Sequence, residues 1–201
     1  MAVIAIVFVL IMSPWWIRNY REYGEFIALA ASGGNPMLQG TYIDYRQTPE
    51  NVTHYTAADT AFETNKIETR IAIERIKQGF KEDFKGYLKW YTLGKTKYFW
   101  LTTFYWKQFA RVPANAVIIS HYVILTGFAG MLILLIERHK ELWLPLLMML
   151  YFNFAHCVYM AFDRYAYPII NILVIFTAYF FIRLLDTVMQ AINMKGNLKI
   201  N

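Results

Sequence analysis

Cysteine is nearly absent from this chain: Cys157 is the only one in 201 residues. No internal disulfide framework can exist, and the redox compartment is not written in the cysteines. No run of five or more basic residues occurs, which argues against nucleic acid as a partner despite a formal charge of +6. There is no Gly-rich phosphate loop of the P-loop type, no Ser-His-Asp or zinc-protease pattern and no acidic DxD pair. Those gaps remove the usual sequence signatures of nucleotide hydrolysis, serine hydrolysis and metalloproteolysis. Internal repeats and low-complexity tracts are missing as well.

What the chain has in abundance is apolar surface. Apolar residues make up 57% of it and aromatic residues 18%, with a mean hydropathy of +0.29. Four apolar segments stand out: Ala2–Trp16, Pro113–Ile136, Leu142–Phe162 and Tyr167–Leu185. A spanning helix needs about 20 mostly apolar residues. The second and third meet this, and the fourth does if Arg183 snorkels to an interface. The first is short and has no charged region before it. The small-residue pattern Ala28-Leu29-Ala30 is poorly placed for signal cleavage. Residues 1–17 therefore read as a span whose beginning is missing, in the downstream part of a longer polytopic protein. The expected fold class is an all-α integral membrane protein of about four spans: 1–17, 113–136, 142–162 and 167–185. A segment 18–112 lies outside the membrane and 186–201 forms a tail.

Short loops set the orientation. Glu137-Arg138-His139-Lys140-Glu141 carries positive charge, and Lys195 and Lys199 follow the fourth span, so both belong on the cytoplasmic side. The turn Asp163–Ala166 and the segment Arg18–Val112 then fall outside. That segment holds 14 Lys or Arg against 10 Asp or Glu, but long loops cross membranes largely regardless of charge. Trp15, Trp16, Trp90, Trp100, Trp106 and Trp143 all lie at segment edges, as an interfacial belt predicts. Pro113 and Pro168 fall in first helical turns, where a missing N–H costs nothing.

Within the outer segment, Ser32–Pro36 signals a turn or loop and Gln39–Thr53 is polar and irregular. The spacing predicts a helix over 56–78, capped by Thr56, Asp59 or Thr60 and interrupted by Gly79. A second helix is expected over 81–93. Its Phe80, Phe84, Tyr87, Leu88 and Tyr91 recur at helical spacing, with Lys81, Lys85 and Lys89 on another face. That is the pattern of a helix lying in the membrane interface. The aromatic runs Tyr98–Trp100 and Phe104–Trp106 continue along it.

Several polar residues invite a chemical reading. Arg18 presents a planar fork of donors that suits phosphate oxygens, with Asn19 beside it; the competing reading is a membrane-edge anchor. Lys95 and Lys97 suit a lipid phosphate or a general attraction to anionic lipid. Asp163, Arg164 and Tyr165 form a turn that could bind a sugar or phosphate, or in which Asp163 and Arg164 simply pin the turn. His121, Asn153 and His156 lie in spans, where helix–helix hydrogen bonding is the leading role. A metal site of His121, His156 and Cys157 has no spacing support. Asn51-Val52-Thr53 is a glycosylation sequon. Asp59, Glu63, Glu82 and Asp83 fit solvated helix faces.

Four stretches, SPWWIRNY (13–20), GGNPMLQGTY (33–42), KGYLKWYTLGKTKYFW (85–100) and HCVYMAFDRYAYPII (156–170), follow the order seen in bacterial membrane glycosyltransferases of family 39 type. Over about residues 1–182 the chain resembles that family, relatives of the dolichyl-phosphate-mannose protein mannosyltransferases. The resemblance implies a partial GT-C fold in the inner membrane of a bacterial cell envelope. It implies transfer of a sugar from a polyprenyl-phosphate carrier to an extracytoplasmic protein, lipid or glycan. It places Arg18, Asn19, Arg164 and Tyr165 near the carrier-facing cavity, where an arginine can stabilise the departing phosphate. It calls for no cofactor and leaves a divalent metal open. Two features depart from the family. Gly40 is followed by Thr41 rather than Asn, and the region that carries the family's catalytic carboxylate, after the first span, has no counterpart. The implied catalytic residues in this chain are none, and the isolated chain should be inactive without a missing N-terminal half. The alternative is a non-enzymatic small membrane protein acting as a binding or assembly subunit. A transporter fragment would carry charges deep within its spans, and here Arg183 alone is charged, near a span end.

Overall fold

The computed structural model describes residues 2–102 and 114–198. Every regular element among them is helical, and four helices are long and apolar enough to cross a membrane. The protein is an all-α membrane protein. It divides into two compact units, Met1–Leu88 and Lys89–Asn201.

The first unit opens with α1, Ala2–Tyr23, which runs through Pro14 without a break. The whole stretch Ser13–Tyr20 is therefore helical, although its apolar run ends near Trp16. Gly24 stops the helix at φ +68°, its N–H donating to the Tyr20 carbonyl. This left-handed C-terminal position costs glycine no Cβ clash. A short helix α2, Gly34–Gln39, begins inside the expected loop signal, because Pro36 falls in its first turn. Helix α3, Ala61–Glu82, starts at Thr60, whose hydroxyl accepts from the Glu63 N–H while Glu63 returns a side-chain contact. Thr60 is thus the N-cap, and it sets the start five residues later than expected. Gly79 does not interrupt α3. A Cβ there would meet the Tyr87 ring at 2.0 Å, so the glycine admits an aromatic ring from the next helix.

The irregular stretch 40–60 is held onto α3 by side chains. Arg75 donates to Thr41 Oγ1 (2.8 Å), the Asn51 carbonyl (3.0 Å) and Thr53 Oγ1 (2.8 Å), and lies over the Tyr42 ring. Glu68, buried, accepts from Asn35 Nδ2 and from the Tyr55 hydroxyl. Asn65 Oδ1 accepts from the Gly34 N–H. Thr53, the last sequon residue, is thus engaged by Arg75.

The expected helix 81–93 is longer and less regular. Helix α4, Phe84–Lys89, passes through a π-helical turn, Trp90–Gly94, directly into α5, Lys95–Leu101. Phe84 and Leu88 are exposed, in keeping with an interfacial face. Trp90 and Trp100, however, are core residues and not belt residues. Trp106, Phe104, Tyr105, Pro113 and Lys199 lie outside the described residues.

The second unit packs α5 with α6 (Ala114–Ile136), α7 (Trp143–Val158) and α8 (Tyr167–Leu198). Helices α6 and α8 lie closest. A Cβ on Gly127 would sit 2.8 Å from the Leu173 carbonyl oxygen, and one on Gly130 2.1 Å from that of Phe176. Small residues let the two backbones touch, the usual solution where lipid supplies no hydrophobic drive. Thr177 adds a bond to the Val123 carbonyl at 2.9 Å. Phe99, Trp100, Ile124, Met149, Ile169 and Leu173 fill the core between helices. Helix α7 stops at Val158, short of the expected Phe162, and residues 159–162 lead into a 3-10 turn at Asp163–Tyr165. Helix α8 continues to Leu198, so the described part of the expected tail is helical. Arg183 pairs with Glu137 at the end of α6, which resolves its charge at a span end.

Candidate functional site

Lys95 is the most constrained of the expected site residues. It opens α5 with no exposed surface. Its Nζ donates to the carbonyls of Cys157 (2.8 Å) and Tyr159 (2.9 Å) and stands 3.7 Å from the centre of the Tyr91 ring. The last carbonyls of α7 have no intrahelical donor. Lys95 supplies one and adds charge where the helix dipole favours a cation. This also explains why α7 ends where it does. Burial pushes the Lys95 amine down to about 7. Where the sequence suggested a lipid phosphate, the donors of Lys95 face backbone carbonyls beneath the Trp90 and Tyr91 rings. The signal was in the sequence, since Tyr91 and Lys95 stand four apart, the spacing that stacks helical side chains.

Around Lys95 lies a polar cluster that reading the sequence did not assemble. Trp100 Nε1 donates to Asn153 Oδ1 (3.1 Å), and Asn153 Nδ2 donates to Thr96 Oγ1 (3.0 Å). Asn153 thus performs the interhelical bonding expected of it. His121 does the same, its Nε2 meeting the Leu101 carbonyl at 2.8 Å. His121 also shares a small cavity of about 140 Å³ with Ser120 and Asp163.

Lys97, two residues on, is exposed and has a different setting. It stands at the rim of a groove of about 600 Å³ between α5, α6 and α7. Leu93, Trp100, Leu125, Phe128, Met149 and Leu150 give that groove apolar walls, with Thr92, Thr96 and Asn153 as its polar members. No acidic side chain lines it among the described residues.

Arg164 and Tyr165 stay together. The guanidinium lies over the Tyr165 ring (4.9 Å) and near that of Phe162 (5.5 Å), and donates to the Tyr165 hydroxyl at 3.0 Å. Tyr165 in turn stacks on His156 at 4.7 Å. Asp163 accepts from the Arg164 backbone N–H at 2.8 Å, so its carboxylate pins the turn through the main chain. The guanidinium remains exposed.

Arg18 and Asn19 belong to the first unit, and the other four expected residues to the second. Arg18 is exposed, lies 5.5 Å from the Trp15 ring and approaches Asn19 Oδ1 at 3.4 Å. Asn19 is buried. Among the described residues, no group of three or more His, Cys, Asp and Glu could hold a metal.

Four apolar helices define the chain as an all-α integral membrane protein, and its second unit carries an apolar groove edged by a lysine. No family model, curated protein or solved structure matches the chain.

Proposed function

We propose that the chain is part of a membrane glycosyltransferase that takes a sugar from a polyprenyl-phosphate carrier to an extracytoplasmic acceptor. The observation that carries this reading is the groove of α5, α6 and α7. Apolar walls suit a polyprenyl tail, and Lys97 at the rim suits its phosphate. The ordered stretches that resemble family 39 transferases support it, as does Arg164, presented on an aromatic bed at the adjoining turn. In this reading the bilayer is the plasma membrane, with residues 18–112 outside.

The chemistry falls to other residues of the complete enzyme. Among the described residues the groove is lined by no carboxylate, histidine or tyrosine that could serve a hydroxyl acceptor as general base. The same observation favours a second reading, a non-enzymatic binding or assembly subunit. A binding subunit would share carrier binding with the transferase, and only the transferase requires transfer.

The test uses the chain in lipid nanodiscs with a radiolabelled polyprenyl-phosphate hexose. Binding is expected, with loss on Leu125→Trp and weakening on Lys97→Gln. Equal binding by wild type and Leu125→Trp would remove the groove from the reading. Turnover by the chain alone would overturn the placement of the chemistry elsewhere.

A further inference from the structure

Residues 25–31 fold back along α1. Trp16 Nε1 donates to the Ala28 carbonyl at 2.7 Å, and the Trp16 and Phe26 rings lie 5.4 Å apart. Helix α1 continues seven residues beyond Trp16, to Tyr23. At 1.5 Å per residue, the chain therefore returns by about 10 Å before it passes Ala28. The reversal is made by Gly24 at φ +68°.

Trp16 marks the end of the apolar run of α1, and everything from Arg18 to Tyr23 is polar or amphipathic except by its aromatic faces. The returning loop thus comes back to the level where the span meets the headgroups. It brings apolar side chains with it: Phe26 is 64% exposed and Leu29 70%. Across a groove of about 760 Å³, α3 lines the same surface with Lys66, Arg70, Ile73, Glu74 and Lys77, three cations against one carboxylate. Lys66 pairs with Glu25, which ties α3 to the loop. Arg70 and Lys77 are exposed and in no ion pair among the described residues.

We propose that the loop 25–31 and the basic face of α3 form one bilayer-contact surface, with Phe26 and Leu29 inserted at the acyl boundary and Arg70 and Lys77 on anionic phospholipid headgroups. Apolar side chains at the depth of a span edge, flanked by cations, are what an anionic interface holds. The surface is independent of the carrier groove, since it lies wholly within the first unit. It gives the first unit a further contact with the membrane besides α1 and the exposed face of α4.

The experiment places single cysteines at Leu29 and, as a control, at Thr48, an exposed residue of the irregular stretch. Each is labelled with an environment-sensitive fluorophore in the full chain, carrying Cys157→Ser, in nanodiscs of phosphatidylcholine with or without phosphatidylglycerol. The label at position 29 should be quenched by nitroxide lipids. Its iodide quenching should fall to about half or less of that at position 48. Phosphatidylglycerol should deepen the protection, and Arg70→Gln with Lys77→Gln should abolish that increment. Trp16→Phe, which removes the loop's tether, should raise iodide access at position 29. Iodide access equal at the two positions would overturn the proposal. Protection without nitroxide quenching would mean that protein covers the loop, and would overturn it as well. Protection indifferent to phosphatidylglycerol and to both basic residues would remove the headgroup site.

Discussion

Lys95 is a buried amine held between two carbonyls and an aromatic ring, and its protonation is linked to stability. Burial lowers its folded-state pKa to about 7 from the ordinary 10.5. Between those values the unfolded chain binds more protons than the folded chain, so stability rises with pH. A neutral amine keeps two donors, enough for both carbonyls. We therefore expect the stability advantage of wild type over Lys95→Met to be larger at pH 9 than at pH 6.5, measured by thermal unfolding in detergent. An advantage constant over that window would mean the ammonium stays charged inside the fold. Arg18 makes the opposite case, a cation left available. Its guanidinium is exposed beside Trp15 and Asn19. If it grips a carrier phosphate with two donors, Lys in its place keeps the charge and loses the fork. A hydrogen bond to a charged group is worth about 1.5–3 kcal/mol, so Arg18→Lys should weaken polyprenyl-phosphate binding about tenfold or more. Arg21→Lys, beyond the span edge, should leave binding near wild type. Equal affinity in the two variants would leave Arg18 as an anchor.

Elements in this chain are positioned by what crosses between them, and that decides how much of them was legible. The spans could be read because about 20 apolar residues in a row leave few alternatives. The cap of α3 was legible only as one of three candidates, Thr56, Asp59 or Thr60, because all three are capping residue types in a row of possible starts. The end of α7 could not be read, since it depends on a lysine 62 residues away from Cys157 in the chain. Gly79 misled for a related reason: its intrinsic cost in a helix is about 1 kcal/mol, and only the distant Tyr87 ring shows why it is worth bearing. The groove beside Lys97 needs three helices to exist, so its residues carried no shared signal in one dimension. Two substitutions test these cross-element contacts. Gly130→Ala puts a Cβ against the Phe176 carbonyl oxygen, a backbone atom that cannot rotate away. It should separate α6 from α8 and cost about 1–3 kcal/mol in unfolding, where overpacked cores fall. Arg75→Met removes three hydrogen bonds that hold 41–53 on α3. Amide exchange should quicken in that stretch and stay unchanged in α6. Unchanged exchange in 41–53 would show that Tyr42 packing alone suffices.

At the scale of the whole molecule, the question is which side of the membrane each loop faces. Helices α6, α7 and α8 follow one another with short connections, so residues 137–142 and the far end of α8 share one side, and 163–166 the other. The shared side collects Arg138, Lys140 and, along α8, Arg183 and Lys195. The pairing of Arg183 with Glu137 agrees with this, because a charge near a span end finds its partner at the loop next to it. Positive short loops stay in the cytoplasm. On that rule we expect Arg164 and its aromatic bed outside, the side on which the proposed transfer would use a lipid-carried sugar. We expect a cysteine at Lys140, in a Cys157→Ser background, to resist a membrane-impermeant maleimide in intact cells and to react after permeabilisation. A cysteine at Arg164 should react in intact cells. The reverse pattern would turn the molecule over. It would also put Arg164 on the cytoplasmic face, where it could not meet a carrier used outside, so the same experiment bears on the topology and on the function built on it.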